Sequence, residues 1–231
     1  MTTLSAEDVG AVLLSLKVAA VATLCGLPLA VLCAEALARG RFWGRTLLEA
    51  TVTLPLVLPP VATGYGLLIL FGRQGLIGRL LAQVGIVFAF HWTGAALAAA
   101  VMAFPLMVRP IRLSIEAIDR EVSEVALTLG ASGPRRFFSI TVPLASPGIA
   151  AGALLGFAKA LGEFGATITF VAAIPGETLT LPAAIYNATQ SPGREGRALA
   201  LCAVAAAIAV AAVLLSDLVG RAAGRLVQGP R

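Results

Sequence analysis

Long runs of apolar residues with few charges are the feature that most constrains this chain. Several of them approach the ~20 residues that an α-helix needs to cross about 30 Å of hydrocarbon. They belong to a composition that is 58% hydrophobic and only 13% charged over 231 residues, with a mean hydropathy of +0.93. A soluble domain of this size cannot bury that much apolar surface. The sequence therefore predicts an all-α integral membrane protein.

Sustained hydrophobicity divides the chain into five predicted spans, which together form one transmembrane domain over residues 1–231. Their approximate bounds are Val9–Ala38, Leu47–Phe71, Thr93–Val108, Leu144–Ala173 and Leu199–Val219. The third span is short as drawn, and we expect it to extend toward His91 or Ile111.

Arginine is distributed unevenly between the two sides that these spans define. One side has Arg73, Arg79, Arg194 and Arg197. The other side has Arg39, Arg41, Arg45, Arg109, Arg112, Arg120, Arg135, Arg136, Arg221, Arg225 and Arg231. Because cytoplasmic loops are enriched in basic residues, the N-terminus is predicted to lie outside and the C-terminus in the cytoplasm.

Residues Gly75–Ala89 are the alternative sixth span, since much of this segment is apolar. Arg79 interrupts it, and its insertion would move the arginines before span four to the opposite side. We therefore predict an outer-surface helix that ends in the interfacial pair His91–Trp92. A chain with an odd number of spans cannot form two equal inverted halves, so a transport pathway is expected between two copies of it.

The remaining composition excludes several classes of chemistry. The net charge of +5 would suggest nucleic acid in a soluble protein, but here the charges lie between spans and orient them, so no such partner is expected. Cys25, Cys33 and Cys202 lie in apolar segments without a CxxC pattern, which argues against a disulfide or a metal site. We predict no cofactor and no catalytic residue. The first ten residues lack the basic region of a cleavable signal peptide.

The stretch Arg109–Pro143, predicted to be cytoplasmic, has a helix–turn–helix pattern. Apolar residues recur at helical spacing at Ile111, Ile115, Ile118, Val122, Val125 and Leu129. The i,i+4 charge pairs Glu116–Arg120 and Arg120–Glu124 support the first helix. Gly130 then marks a stop, and Pro134 begins a short second helix.

This elbow, residues 109–143, has two possible uses. It could lie on the lipid surface as an amphipathic helix, or it could bind a groove on another protein. Acidic residues accompany the bases between Glu116 and Glu124, which anionic lipid would not favour. The groove on a partner protein is therefore the preferred interpretation.

The elbow resembles the EAA loop of ABC importer permeases. The pattern is Glu124-Val125-Ala126, three residues, Gly130, nine residues, Ile140, one residue and Val142-Pro143. It departs from the family pattern by Val125 in place of Ala and Val142 in place of Leu, both mild changes. The resemblance implies a type I importer permease fold in which the elbow, as the coupling helix, sits in a cleft of a cytoplasmic ATPase. The residues it assigns to this role are Glu124, Ala126, Gly130, Arg135 and Phe137.

The chain itself has no Gly-x-x-x-x-Gly-Lys-(Ser/Thr) phosphate loop. We therefore expect it not to be an enzyme, and we expect ATP hydrolysis to be supplied by the partner subunit.

Two segments within the spans are candidates for the translocation pathway. Prolines in Leu54–Pro60 break helical hydrogen bonds, which a membrane tolerates where the helix packs in protein or lines a cavity. A kinked packing helix and a pathway wall are equally compatible with this. In span four, Glu163 follows Lys159 by one turn, and a neutralised i,i+4 pair is preferred to a direct ligand role. The candidate pathway residues are Pro59, Pro60, Gly162, Glu163, Gly165, Thr167 and Thr169.

The outer loop from Ile174 to Tyr186 is predicted to contain a short helix that starts near Leu181, with Pro182 in its first turn. Such a helix could contact a binding protein or cap the bundle.

Five segments, in order along the chain, are similar to the oxyanion branch of the ABC permeases, and most of all to the molybdate permeases. They are Leu54–Pro60, Gly64-Tyr65, Phe104–Arg109, Gly162–Phe170 and Ile174–Thr178. The resemblance implies a multi-pass protein of the inner membrane that imports molybdate, with ATPase subunits, an extracytoplasmic molybdate-binding protein, a second copy of itself and membrane lipid as partners. A sulfate or tungstate permease is the alternative within the class, and a stand-alone secondary anion carrier or a scaffold is the alternative outside it.

Overall fold

The computed structural model describes residues 4–128 and 130–228, without the side chains of Arg120, Ser123, Glu124, Val213 and residues 215–228. Every regular element within these ranges is helical, which confirms the all-α prediction. In chain order the helices are α1 Ala6–Arg39, α2 Arg45–Val57, α3 Pro60–Phe71, α4 Leu76–Gln83, α5 Trp92–Glu116, α6 Arg120–Thr128, α7 Gly133–Arg136, α8 Val142–Leu144, α9 Ser146–Leu161, α10 Gly165–Val171, α11 Leu181–Thr189 and α12 Glu195–Gln228. A π-helical turn, Phe137–Thr141, joins α7 to α8.

Three helices are long and apolar enough to cross a membrane unaided: α1, α5 and α12 over Glu195–Ala212. Two further spans exist if bent helix pairs are each counted as one. The pair α2–α3 bends by 117°, and the pair Gly133–Leu144 and Ser146–Leu161 bends by 72°. Among the described residues the chain therefore has three to five candidate spans.

Helices α1 and α5 run side by side in the same direction. Lys17 in the first half of α1 lies over the ring of Trp92, the first residue of α5, with its Nζ 3.5 Å from the ring centroid. Farther along both helices, a Cβ placed on Gly26 would lie 3.0 Å from Met107 Cε. The segment between the two helices must therefore return to the end of the bundle where α1 begins.

Helix α9 runs antiparallel to α5 and packs on it through a stripe of glycines, Gly148, Gly152 and Gly156, which are all buried. A Cβ on Gly152 would lie 2.8 Å from the carbonyl oxygen of Met107. Because the glycines recur every four residues, they form one face without side chains and let the two backbones approach closely.

We expect Gly148→Ala to destabilise the protein more than Gly156→Ala does. A Cβ on Gly148 would lie 2.7 Å from the Pro110 carbonyl and closer still to Ser114 Cβ, neither of which can move far. The atoms nearest to a Cβ on Gly156 all belong to the Met107 side chain, which has rotatable bonds. Overpacking of this kind costs about 1–3 kcal/mol. Thermal unfolding of the purified protein in detergent checks this, and equal midpoints for the two variants would contradict the close α5–α9 approach.

Ion pairs and hydrogen bonds fasten the end of the bundle where α1, α5 and α12 begin. Asp8, with a side chain that is 2% exposed, accepts from Arg197 of α12 at 2.6 Å. Asp8 also forms a capping box with Ser5, which starts α1. The backbone N–H of Leu181 donates to Ser15 Oγ at 2.6 Å and holds α11 against α1.

Several elements differ in extent from the sequence-based expectation. Helix α5 begins at Trp92, next to His91, and runs past Ile111 to Glu116, so it is longer than the expected extension, and Ile111 and Ile115 are buried in the bundle. The expected outer-surface helix over Gly75–Ala89 is shorter, because α4 ends at Gln83. The short helix predicted to start near Leu181 is present, since α11 begins at Leu181 with Pro182 in its first turn.

Candidate functional site

The second predicted span breaks at its prolines. Helix α2 ends at Val57 and α3 begins at Pro60, with Leu58 and Pro59 in extended conformations between them. Pro59 and Pro60 have no N–H to donate, and Pro60 takes the first-turn position in which this is tolerated. The prolines therefore divide the predicted second span into two short helices.

The fourth predicted span breaks between Leu161 and Gly165, and Glu163 lies at this break. Its side chain is 1% exposed, and its Oε2 accepts from Lys159 Nζ at 2.5 Å, so the predicted i,i+4 pair forms. Its Oε1 accepts from the backbone N–H of Ala166 at 3.0 Å, which satisfies a free donor at the start of α10. One buried carboxylate thus joins the end of α9 to the start of α10.

The two breaks lie against each other. A Cβ on Gly165 would lie 2.8 Å from Pro60 Cβ, and a Cβ on Gly64 would lie 2.8 Å from Ala166 Cα and closer still to its carbonyl oxygen. The structure therefore brings together the two segments that the sequence singled out separately for the pathway. Gly64 is a further contact residue of the site that could not be recognised from the sequence, because its role depends on which helix lies beside it.

Thr167 and Thr169 both use their hydroxyl protons within α10 and its first turn. Thr167 Oγ1 donates to the Phe164 carbonyl at 2.9 Å, and Thr169 Oγ1 donates to the Gly165 carbonyl at 2.8 Å. Thr167 is buried and Thr169 is half-buried. In this arrangement neither hydroxyl has a free proton to offer an anion.

Helix α6 of the elbow ends in a Schellman motif. The N–H of Ala131 donates to the Ala126 carbonyl at 2.9 Å, and the N–H of Gly130 donates to the Leu127 carbonyl at 3.0 Å. Gly130 has φ +76°, a left-handed conformation that favours glycine. The four-residue spacing between Ala126 and Gly130 is therefore explained by the geometry of a helix end, and Ala126 is buried against the turn.

The second half of the elbow presents basic and aromatic side chains. Arg135 and Phe138 are exposed, and Phe137 is half-buried with its ring edge-on to Phe138 at a centroid distance of 5.0 Å. The side chains of Glu124 and Arg120 lie outside the described residues, as does Leu129. Glu116 pairs with Arg112 at 2.7 Å.

Residues 26–228 match the family described as the binding-protein-dependent transport system inner membrane component. The chain belongs to this family. It is a transmembrane component of a transporter and a multi-pass protein of the inner membrane, and it is not itself an enzyme.

Similar proteins indicate the branch of the family. The molybdenum transport system permease protein of Escherichia coli (strain K12) is 54% identical over 212 residues, which are 91% of this chain and 93% of that protein. The protein of the same name from Haemophilus influenzae (strain ATCC 51907 / DSM 11121 / KW20 / Rd) is 52% identical over 91% of this chain and 92% of its own length. A probable sulfate transport system permease protein of Chlorokybus atmophyticus is 35% identical over 75% of this chain and 60% of that protein. The resemblance to the molybdate permeases is thus confirmed.

Solved structures show the same fold at much lower identity. A bacterial ABC transporter that imports alginate superimposes with a TM-score of 0.76 at 19% identity, covering 94% of this chain and 80% of that one. The MetNI methionine ABC transporter gives a TM-score of 0.68 at 16% identity, covering 96% of both chains. The permease therefore has the helical fold of type I ABC importers.

Proposed function

We propose that this permease is the membrane-spanning subunit that translocates molybdate in an ATP-driven importer. The observation that carries the proposal is the 54% identity to a molybdenum permease over 91% of the chain. The 35% identity to a sulfate permease over 75% of the chain makes sulfate the weaker candidate. Tungstate shares the shape and charge of molybdate and is expected to use the same route.

Competition distinguishes these anions. In proteoliposomes that contain the complete transporter with its binding protein, tungstate should inhibit molybdate uptake and sulfate in large excess should not. Preferential import of sulfate would contradict the assignment of substrate.

We propose five membrane crossings, with the N-terminus outside and the C-terminus in the cytoplasm, in a single permease domain over residues 1–231. The parallel course of α1 and α5 and the antiparallel course of α9 support this arrangement. So does the position of Arg197 of α12 beside Asp8 of α1, because both helices then begin at one side. The arginines between α1 and α2 and those of the elbow belong to the other side, as expected for the cytoplasm.

We propose that two copies of the chain enclose the pathway between them. The broken span supports this because many of its apolar side chains are exposed in the single chain. They include Leu47, Leu54, Val61, Tyr65 and Ile69. The two meeting breaks, with Pro59, Pro60, Gly162, Glu163, Gly165, Thr167 and Thr169, would then line or support the route. A pathway without a cluster of basic groups holds an anion weakly, which allows the anion to leave.

The elbow is the proposed docking site for the ATPase. We assign Glu124, Ala126, Gly130, Arg135 and Phe137 to this docking site: Ala126 and Gly130 form the helix end, Arg135 is exposed and Phe137 is half-buried. In the proposed cycle a binding protein delivers the dianion outside, ATP binding moves the elbows and opens the pathway outward, and hydrolysis resets it. A stand-alone carrier is disfavoured, because the family depends on a binding protein.

Reversal of charge at Glu124 should weaken this docking. We expect Glu124→Lys to lower the amount of ATPase that co-purifies with the permease about tenfold or more, since a hydrogen bond to a charged group contributes about 1.5–3 kcal/mol. Glu195→Lys, at the opposite end of the bundle, is the matched control and should retain the ATPase. Undiminished co-purification with Glu124→Lys would contradict the assignment of this residue to the interface.

A further inference from the structure

Arg112 joins two elements that the proposed function uses separately. It lies near the end of α5, in the part of this helix (residues 109–116) that forms the start of the elbow. Its Nε donates to Glu116 Oε1 on the same helix at 2.7 Å. Its Nη1 donates to Glu49 Oε1 on α2, also at 2.7 Å, although 63 positions separate the two residues. Two carboxylates from different elements thus share one guanidinium.

Helix α2 has few other buried contacts to hold it. Val52 is its buried residue, whereas Leu47 and Leu54 are exposed. At its far end α2 ends at Val57, and the chain bends by 117° into α3. The Glu49–Arg112 ion pair therefore positions one end of a helix whose other end is a break.

The side chains of this ion-pair cluster are partly exposed, so the contact between α5 and α2 can break and form again during a transport cycle. The side chains of Arg112, Glu49 and Glu116 are 24%, 50% and 37% exposed. Partly exposed ion pairs add little to the stability of a fold, so the bundle does not depend on this one. The pair can fix α2 in one conformation and release it in another without unfolding the protein.

We propose that Arg112 is a positioning residue that transmits movement of the elbow to the inner half of the broken span. A displacement of the elbow moves the end of α5, and Arg112 then moves α2 through Glu49 about the break at Leu58 and Pro59. The inference rests on the proposed function, because it requires an ATPase that acts on the elbow. Arg112 then connects the action of the ATPase on the elbow to the proposed pathway.

The test uses the complete transporter in proteoliposomes and measures molybdate uptake and ATP hydrolysis in the same sample. In Arg112→Gln and Glu49→Gln we expect the ATPase to stay bound and active while the molybdate imported per ATP falls about fivefold or more. Glu116→Gln should lower this ratio less, since Glu116 lies on the same helix as Arg112. Glu7→Gln is the matched control. It removes a partly exposed carboxylate that pairs with Arg197 at the opposite end of the bundle, and it should leave the ratio unchanged.

A charge exchange separates coupling from a merely structural role. The double variant E49R/R112E keeps one guanidinium and two carboxylates in the cluster, with the opposite charges of positions 49 and 112 exchanged, and should recover most of the ratio that R112E alone loses. An unchanged ratio in Arg112→Gln and Glu49→Gln, or an exchange no better than R112E, would overturn the role of Arg112 and leave the importer assignment intact. A wild-type transporter that imports no molybdate would overturn the proposed function as well.

Discussion

Lys159→Met should abolish molybdate uptake, and the second substitution Glu163→Gln should restore most of it. Lys159 neutralises a carboxylate that is 1% exposed, at a contact of 2.5 Å. Removal of the lysine leaves that carboxylate buried without its partner, which costs about 3–5 kcal/mol. The unpaired charge would also repel a dianion on the proposed route past the α2–α3 and α9–α10 breaks.

The double variant keeps this prediction testable even if Lys159→Met folds poorly. Lys159→Met with Glu163→Gln carries no charge at the pair, and the glutamine amide oxygen can still accept from the N–H of Ala166. Glu163→Gln alone is the control, because Lys159 is 29% exposed and tolerates the loss of its partner. Uptake and the amount of folded protein are measured together. A folded but inactive double variant would mean that the anion requires the Lys159 charge itself.

Gly64→Ala should eliminate transport, whereas Gly66→Ala on the same helix should not. A Cβ at Gly64 would overlap the backbone of Ala166, which cannot rotate away, so α3 and α10 would have to separate. Overpacking against a rigid neighbour costs about 1–3 kcal/mol and shifts the helices that carry the proposed pathway. A Cβ at Gly66 has no neighbour within 4 Å. Both changes replace glycine by alanine in α3, so helix propensity affects them alike.

Uptake assays and thermal unfolding of both variants check the second prediction. We expect loss of uptake and a lower unfolding midpoint for Gly64→Ala, and normal uptake with an unchanged or higher midpoint for Gly66→Ala. Equal uptake and equal unfolding midpoints for the two variants would show that transport does not require the close α3–α10 contact.

Features that depend on neighbouring residues in the chain could be predicted from the sequence. Helices α1, α5 and α12 follow from the length of their apolar runs. The stop at Gly130 follows from the left-handed conformation that a Schellman motif requires, and the Lys159–Glu163 pair follows from i,i+4 spacing. Each of these is set within one or two helical turns, so no knowledge of packing is needed.

Features that depend on which helices are neighbours could not be predicted. The contact between Pro60 and Gly165, and that between Glu49 and Arg112, join residues far apart in the chain. The same limitation applies to the length of α5, which continues beyond Ile111 to Glu116, with Arg112 in its last turns paired with Glu49 and Glu116.

The dependence of molybdate uptake on the two partner proteins tests the central claim most directly. The permease is reconstituted into vesicles alone, with the ATPase, and with both the ATPase and the binding protein, and molybdate inside the vesicles is measured with and without ATP. We predict accumulation against a gradient only with ATP and both partners. Molybdate uptake by the permease alone would contradict the account.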